Sequence, residues 1–165
     1  MDSGFRLGKQ RMKKLNPAFF KETAARINQS PYYMHTSMEL KEMSPGQCRV
    51  EVAVQKKHLQ PYGMVHGGVY AAMVDAAAYW AVFTQIDDNA QMLTIDLKLN
   101  YLGSATEGLL LAKGKSIKVG KTLAIGQASI ADETGKLLTH GIATFMISKD
   151  LEVNAGFDLP PRVLA

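Results

Sequence analysis

An apolar run of 15 residues, interrupted by a single acid, constrains this chain more than any other feature. Every residue from Val69 to Phe83 is apolar or aromatic except Asp75. A helix that is apolar on all sides is buried in a membrane or in a protein core. A membrane span needs about 20 apolar residues, and this run is shorter. We therefore predict a core helix that extends to about Ile86.

Asp75 is the residue of this helix that most needs a partner or a function. Burying a carboxylate costs much free energy unless something compensates for the lost water. The residue also lies too far from the helix start to cap it. It could face solvent or bond a buried partner, which would be a purely structural role. We favour a functional role, because burial raises the pKa of a carboxyl toward values that suit a base.

The sequence His66-Gly67-Gly68 opens the helix. The two glycines could simply allow close packing. Alternatively, the N–H of Gly67 points at a carbonyl oxygen of a substrate, assisted by the helix dipole. His66 could be a base or a metal ligand, but we predict that it orients the loop or a neighbouring side chain. The other three histidines lack the spacing of metal ligands, so no metal site is predicted.

The rest of the chain reads as one short helix and six strands. Asn16 is the predicted N-cap of a helix over 17–29, with Pro17 at its first position. The predicted strands are 33–43, 47–55, 93–101, 107–119, 122–132 and 137–148, joined mostly by short turns, which implies an antiparallel sheet. One face of that sheet must cover the apolar helix. The predicted fold class is therefore α+β, with a basic arm and short helix over 1–30, the main domain over 31–149 and a tail over 150–165.

Composition sets few limits on function. The chain has 165 residues, a net charge of +4, 47% apolar and 21% charged residues, as in an ordinary globular domain. Its single Cys48 excludes an internal disulfide and suggests a reducing compartment, and no secretory signal is visible, so we expect a cytoplasmic location. The basic N-terminus could touch a nucleic acid or a membrane, but we predict a solvated terminus and neither partner.

The segment from Gly114 to Thr122 is similar to a phosphate-binding P-loop, because it ends in Gly-Lys-Thr. That motif has four residues between its glycines and a helix after them. This chain has five, and a strand is predicted next. We therefore predict a strand turn, in which Lys118, Lys121 and the backbone amides could still hold a phosphate.

The spacing of Gln60, His66-Gly67-Gly68 and Asp75 resembles that of the hotdog-fold acyl-CoA thioesterases, specifically the phenylacetate-degradation (PaaI-like) branch. The resemblance covers about residues 47–148 and implies the hotdog fold, a long helix wrapped by a curved antiparallel sheet. One departure is Gly103-Ser104-Ala105, where many relatives have a proline before the alanine. The resemblance also implies a further site residue near the start of the third predicted strand, Thr94, and a substrate- and coenzyme A-binding set comprising Gly68, Lys118, Gly120, Lys121 and Thr122.

The implied activity is hydrolysis of an acyl-CoA thioester, in which coenzyme A is part of the substrate and no cofactor is needed. Gly67 N–H polarises the carbonyl, and Asp75 either activates water or attacks the carbonyl itself. Gln60 and Thr94 position the water or the substrate. A non-catalytic acyl-CoA-binding protein and a hotdog dehydratase are the alternatives. The acyl group is not identified by the sequence.

Helix geometry adds an expectation about assembly. His66 and Asp75 are nine residues apart, which turns them by roughly 900° and separates them by about 13.5 Å along the helix axis. One substrate carbonyl cannot easily touch both Gly67 N–H and Asp75 of the same helix. A two-fold homodimer in which Gly67 and Gln60 of one chain face Asp75 of the other solves this problem. The resemblance implies the same shared site, within an expected dimer of dimers.

Overall fold

The computed structural model describes residues 14–150, 159–162 and 164. Most of the predicted basic arm, residues 1–13, and most of the predicted tail lie outside the described residues. The secondary structure consists of α1 (Pro17–Ile27), α2 (Pro31–Thr36), β1 (Met38–Ser44), β2 (Gln47–Ala53), a 3-10 turn (Lys56–His58), α3 (Gly67–Phe83), β3 (Gln91–Tyr101), β4 (Leu109–Val119), β5 (Leu123–Asp132) and β6 (Leu137–Ser148).

The six strands form one antiparallel sheet in the order β1-β2-β4-β5-β6-β3. The central helix α3 contacts every strand of this sheet. Its residues Met73, Val74, Ala77 and Val82 are fully buried. Within the described residues, no helix combines the length and the apolar character needed to cross a bilayer. The predicted α+β hotdog arrangement with a short N-terminal helix is thus confirmed.

The segment before β1 is where the secondary-structure prediction is wrong. Residues 33–36 belong to α2 instead of a strand, with Pro31 at the first helical position. Tertiary contact explains the difference, because the hydroxyl of Tyr33 accepts a hydrogen bond from Trp80 Nε1 of α3 at 2.9 Å. Ser37 ends the helix with a left-handed φ of 51°, and β1 follows.

Two helix ends come earlier than predicted. Helix α1 has the predicted N-cap, since Asn16 Oδ1 accepts from Ala18 N–H at 3.0 Å. It ends at Ile27 because the Asn28 side chain turns to pair with the backbone of Leu40. Helix α3 ends at Phe83, and the hydroxyl of the next residue, Thr84, donates to the carbonyl of Ala81 at 2.8 Å.

Small residues let α3 approach the sheet closely. A Cβ atom placed on Gly114 of β4 would lie 2.0 Å from the carbonyl oxygen of Ala77. A Cβ atom on Gly126 of β5 would lie 2.9 Å from the carbonyl oxygen of Ala78. Backbone therefore packs directly on backbone where these strands cross the helix.

Gly114→Ala is expected to be strongly destabilising, because the new methyl group can only fit if helix and strand separate. We expect a loss of about 3 kcal/mol or more in the free energy of unfolding, at the upper end of overpacking effects. Urea titration of the variant measures it. The control is Gly135→Ala. Gly135 lies in a turn with a φ of 87°, and an added Cβ atom would meet no other atom within 4 Å. This change should lower the free energy of unfolding by only about 1 kcal/mol. Equal losses in the two variants would contradict the proposed backbone contact.

Strand β3 forms one edge of the sheet and carries exposed apolar side chains. Its pairing with β6 shifts between Thr94 and Asp96, which places a β-bulge at Ile95. Leu93 and Ile95 are 47% and 55% exposed. An edge strand with apolar side chains and unpaired backbone groups is well suited to pair with another chain.

Arg162 ties the end of the chain to the end of α3. Its buried guanidinium donates to the backbone carbonyls of Ile86, Asp87 and Ala90, and it lies 3.8 Å from the centroid of the Phe83 ring. These bonds satisfy carbonyl groups just beyond the helix terminus, where a cation is favoured.

Candidate active site

His66 caps the N-terminus of α3. Its Nδ1 atom accepts a hydrogen bond from Gly68 N–H at 2.9 Å, and its backbone N–H donates to the carbonyl of His58 at 2.8 Å. The N–H of Gly67 donates to no acceptor among the described residues. The cap therefore occupies one of the two glycine N–H groups and leaves that of Gly67 for another acceptor.

An open cleft of about 430 Å³ lies beside this helix terminus. Its lining includes Gln60, His66, Gly67, Tyr70, Tyr101 and Ser104. Gly103 and Ser104, from the Gly103-Ser104-Ala105 segment that departs from the family pattern, therefore form part of the cleft wall. The segment is held in place because Ala105 N–H donates to the Tyr70 hydroxyl at 3.1 Å.

Gln60 reaches the cleft from a tight loop. Its backbone N–H donates to Met64 O at 2.8 Å, and its carbonyl accepts from Gly63 N–H at 2.9 Å. Its side-chain Oε1 accepts from Tyr62 N–H at 3.1 Å, which leaves the amide NH₂ group free to donate to a ligand. The structure thus brings Gln60, His66, Gly67 and Gly68 together around one cleft.

His58 holds this loop against the rest of the fold. Its Nδ1 accepts from Gln55 N–H at 3.0 Å, and its Nε2 lies 2.9 Å from the carbonyl of Thr36 at the end of α2. Burial lowers the pKa of the His58 imidazole, so the neutral ring that this bonding pattern needs is favoured. Among the described residues, no group of three His, Cys, Asp or Glu side chains could hold a metal ion.

Asp75 lies farther along the helix, in contact with the start of β3. Thr94 Oγ1 donates to Asp75 Oδ1 at 2.9 Å. Burial raises the pKa of the Asp75 carboxyl, and the bond from Thr94 lowers it by a smaller amount. Tyr79 follows one helical turn later, where burial raises the pKa of its hydroxyl to about 12. A carboxylate in this setting is a better base than one in water.

The predicted site residues therefore fall into two groups in one chain. Thr94 lies beside Asp75 at one end of β3, whereas Tyr101 at the other end contacts Gly67. Thr94 and Tyr101 are seven positions apart along the strand, a span of roughly 20 Å. The structure places Thr94 in contact with Asp75, but it does not bring Asp75 to Gly67 within one chain.

Of the predicted substrate- and coenzyme A-binding residues, Gly120, Lys121 and Thr122 form an exposed turn between β4 and β5. Lys118 is exposed near the end of β4, whereas Gly68 lies in the first turn of α3. Gly120 N–H donates to Leu123 O at 2.9 Å, which closes the turn. The strand registers place Val119 in the same row across the sheet as Thr94. The turn therefore lies at the Asp75 end of the sheet, three strands away from Thr94.

Sequence reasoning missed Tyr101, the residue that touches Gly67. In the sequence, Tyr101 is only the last apolar position of a predicted strand in which apolar and polar residues alternate. Nothing in the local pattern indicates that its ring reaches the helix terminus, because that contact joins residues 34 positions apart. The only signal in the sequence was an aromatic residue at the end of the predicted strand.

The chain is similar to known proteins over most of its folded part. Residues 62–139 match the family described as the thioesterase superfamily. The 1,4-dihydroxy-2-naphthoyl-CoA hydrolase of Listeria monocytogenes is 30% identical over 112 residues, covering 68% of this chain and 91% of that protein. A thioesterase structure from Haemophilus influenzae has a TM-score of 0.76 at 20% identity, over 87% of this chain and 99% of that one. Zebrafish thioesterase superfamily member 2 has a TM-score of 0.68 at 25% identity, over 76% and 94%.

Proposed function

This chain belongs to the thioesterase superfamily, and on this basis we propose that it hydrolyses acyl-CoA thioesters to a free acid and coenzyme A. The observation that carries the proposal is the half-buried Asp75, which accepts a hydrogen bond from Thr94. The hydrogen bond leaves Oδ2 available, and burial raises the pKa of the group toward that of a useful base. The free Gly67 N–H supplies a donor for the thioester oxygen.

Asp75 can act in either of two ways. As a general base, it takes a proton from water while the water oxygen adds to the carbonyl carbon. The C–S bond then breaks, and the departing thiolate takes up a proton. As a nucleophile, Asp75 adds to the carbonyl carbon itself, the C–S bond breaks to give a mixed anhydride, and the departing thiolate takes up a proton. Water then hydrolyses the anhydride, which releases the free acid and restores the Asp75 carboxylate. In both cases the carbonyl oxygen of the thioester becomes negative in the transition state, where the N–H of Gly67 stabilises it most.

We propose that two copies of the chain build each site. Thr94 and Tyr101 mark the Asp75 end and the Gly67 end of the exposed strand β3. Antiparallel pairing of two β3 strands, centred near Lys98, would bring the Thr94 end of one chain to the Tyr101 end of the other. Asp75 of one chain would then face Gly67 of its partner. Exposed Leu93 and Ile95 support this pairing, and further pairing into a tetramer is part of the proposal.

The acyl group and the branch of the family belong to the proposal as well. The spacing of Gln60, His66-Gly67-Gly68 and Asp75 supports the PaaI-like branch. A relative named as a hydrolase of 1,4-dihydroxy-2-naphthoyl-CoA makes aromatic acyl groups the first to test. A cytoplasmic location is also part of the proposal, because the single Cys48 suggests a reducing compartment.

The experiment that tests this function is a thiol-release assay with aryl, short-chain and long-chain acyl-CoA esters. We expect steady release of free thiol with at least one class. Binding of acyl-CoA without thiol release would favour the non-catalytic alternative, although a protein that only binds has no need of a carboxylate in this helix. An enoyl chromophore would indicate a dehydratase instead.

Replacing both Lys118 and Lys121 with alanine is expected to weaken the binding of coenzyme A esters. We expect the KM to rise for CoA esters more than for pantetheine esters, which lack the nucleotide phosphates, and the difference to shrink at high salt. Initial rates with matched pairs of esters measure it. Lys113→Ala, an exposed lysine earlier on β4, is the control. An equal change for both ester types would place the two lysines away from the nucleotide.

A further inference from the structure

The ring of Tyr101 lies directly against Gly67. A Cβ atom placed on Gly67 would be 3.3 Å from both Cζ and the hydroxyl oxygen of Tyr101. The hydroxyl also donates to the carbonyl of Gly67 at 3.3 Å. The end of the edge strand is therefore attached to the first residue of the central helix, at the position whose N–H is free.

The Tyr101 ring is itself supported from behind. Its centroid lies 6.3 Å from that of Tyr70, at an interplanar angle of 56°, and Tyr70 is almost fully buried in the core. Tyr101 remains 56% exposed, and its ring lines the cleft beside Gly67. The Tyr101 ring is thus supported by a buried ring on one side and is open to the cleft on the other.

Backbone hydrogen bonds fix the chain just before Gly67. The carbonyl of His66, which shares a peptide group with the Gly67 N–H, accepts from Val69 N–H at 2.9 Å, and the N–H of His66 donates to His58 O at 2.8 Å. Tyr101 adds a contact from outside the helix, through its ring and its hydroxyl, to Gly67 itself.

We infer that Tyr101 is a positioning residue, which holds Gly67 so that its free N–H meets the substrate carbonyl at the correct place. This inference rests on the proposed thioesterase function and extends it to a residue outside the predicted site. A preorganised donor is effective only where it is already aimed at the developing charge. A displacement of about 1 Å can lower a rate a hundredfold. Because the donor acts mainly in the transition state, the effect falls on kcat more than on KM.

The first test compares Tyr101→Phe and Tyr101→Leu with the wild-type protein. Phe keeps the ring and loses the hydroxyl bond, so we expect kcat to fall by about threefold. Leu loses the ring as well, so we expect kcat to fall by about thirtyfold with KM changed by less than about threefold. Tyr32→Phe, at an exposed tyrosine of α2, is the control and should leave both constants unchanged. Light scattering verifies that every variant keeps the wild-type assembly.

The second test is a double-mutant cycle with Gly67→Ala, which keeps the N–H but adds a methyl group against the Tyr101 ring. We expect this change to lower kcat by at least about tenfold in the wild-type and Tyr101→Phe backgrounds, because Phe retains the contacting ring carbon. In the Tyr101→Leu background it should cost less than about threefold. Equal losses in all three backgrounds, or normal kcat in Tyr101→Leu, would overturn the positioning role. Absence of thiol release by the wild-type protein would instead reject the thioesterase function.

Discussion

Asp75→Asn is expected to lower turnover by at least about a hundredfold, the usual scale for loss of a catalytic base, while the folded protein becomes more stable at neutral pH. Asparagine has the same shape and can still accept the bond from Thr94. It can neither take a proton from water nor attack a carbonyl. The fold and the binding of substrate should therefore survive while the chemistry fails.

The expected gain in stability follows from the sign of the pKa shift. Burial raises the pKa of Asp75 in the folded protein above its value in the unfolded chain. Such a group contributes stability that is fully present below the unfolded pKa of about 3.9 and is lost as pH rises through the folded pKa. Asparagine does not ionise, so the melting temperature of the variant should exceed that of the wild type increasingly as pH rises from about 4 to neutrality.

Thiol release and thermal melts over this pH range measure both effects of Asp75→Asn. The control is Glu107→Gln, which makes the same chemical change at an exposed position before β4 and should alter neither quantity. Near-normal turnover in a folded Asp75→Asn protein would reject the assignment of Asp75 as base or nucleophile. Reduced stability at neutral pH would show that the ionised carboxylate is compensated in the folded state.

Two inactive variants are expected to restore activity to each other when their subunits exchange. Gly67→Pro removes the free N–H at the first helical position, where proline is well tolerated, and His66 already has the extended backbone that precedes a proline. Mixed with Asp75→Asn, it should form dimers in which one site of two has both an intact Gly67 and an intact Asp75. Random exchange of equal amounts should recover about a quarter of wild-type turnover per site, from a background near zero.

The matched control mixes Asp75→Asn with Thr94→Val. Both changes lie in the same half of the site, so no mixed dimer has a complete site and no recovery is expected. Mass spectrometry of intact complexes verifies that mixed dimers have formed. The shared-site proposal is wrong if verified mixed dimers of Asp75→Asn and Gly67→Pro stay inactive, or if a dilute monomer keeps full activity.

Much of the fold and half of the site geometry could be predicted from local patterns. The apolar run around Asp75 indicated a buried helix, since a helix that is apolar on all sides and too short to span a membrane must be buried in the core. His66-Gly67-Gly68 indicated the helix start because it leaves backbone N–H groups unpaired there. Alternation of apolar and polar residues indicated the strands. These features depend on residues close together in the chain, where geometry is almost independent of the rest of the fold.

Contacts between distant segments could not be predicted in this way. The helical state of residues 31–36 depends on the bond between Tyr33 and Trp80, 47 positions away, which overrides a weak local preference for strand. The contact of Tyr101 with Gly67 exists only because β3 runs along the helix. The backbone contact at Gly114 likewise arises where two elements cross. Residue order therefore determines which elements form, whereas the packing of α3 on the sheet decides which side chains meet, because small residues at the crossings set the depth and angle of the helix.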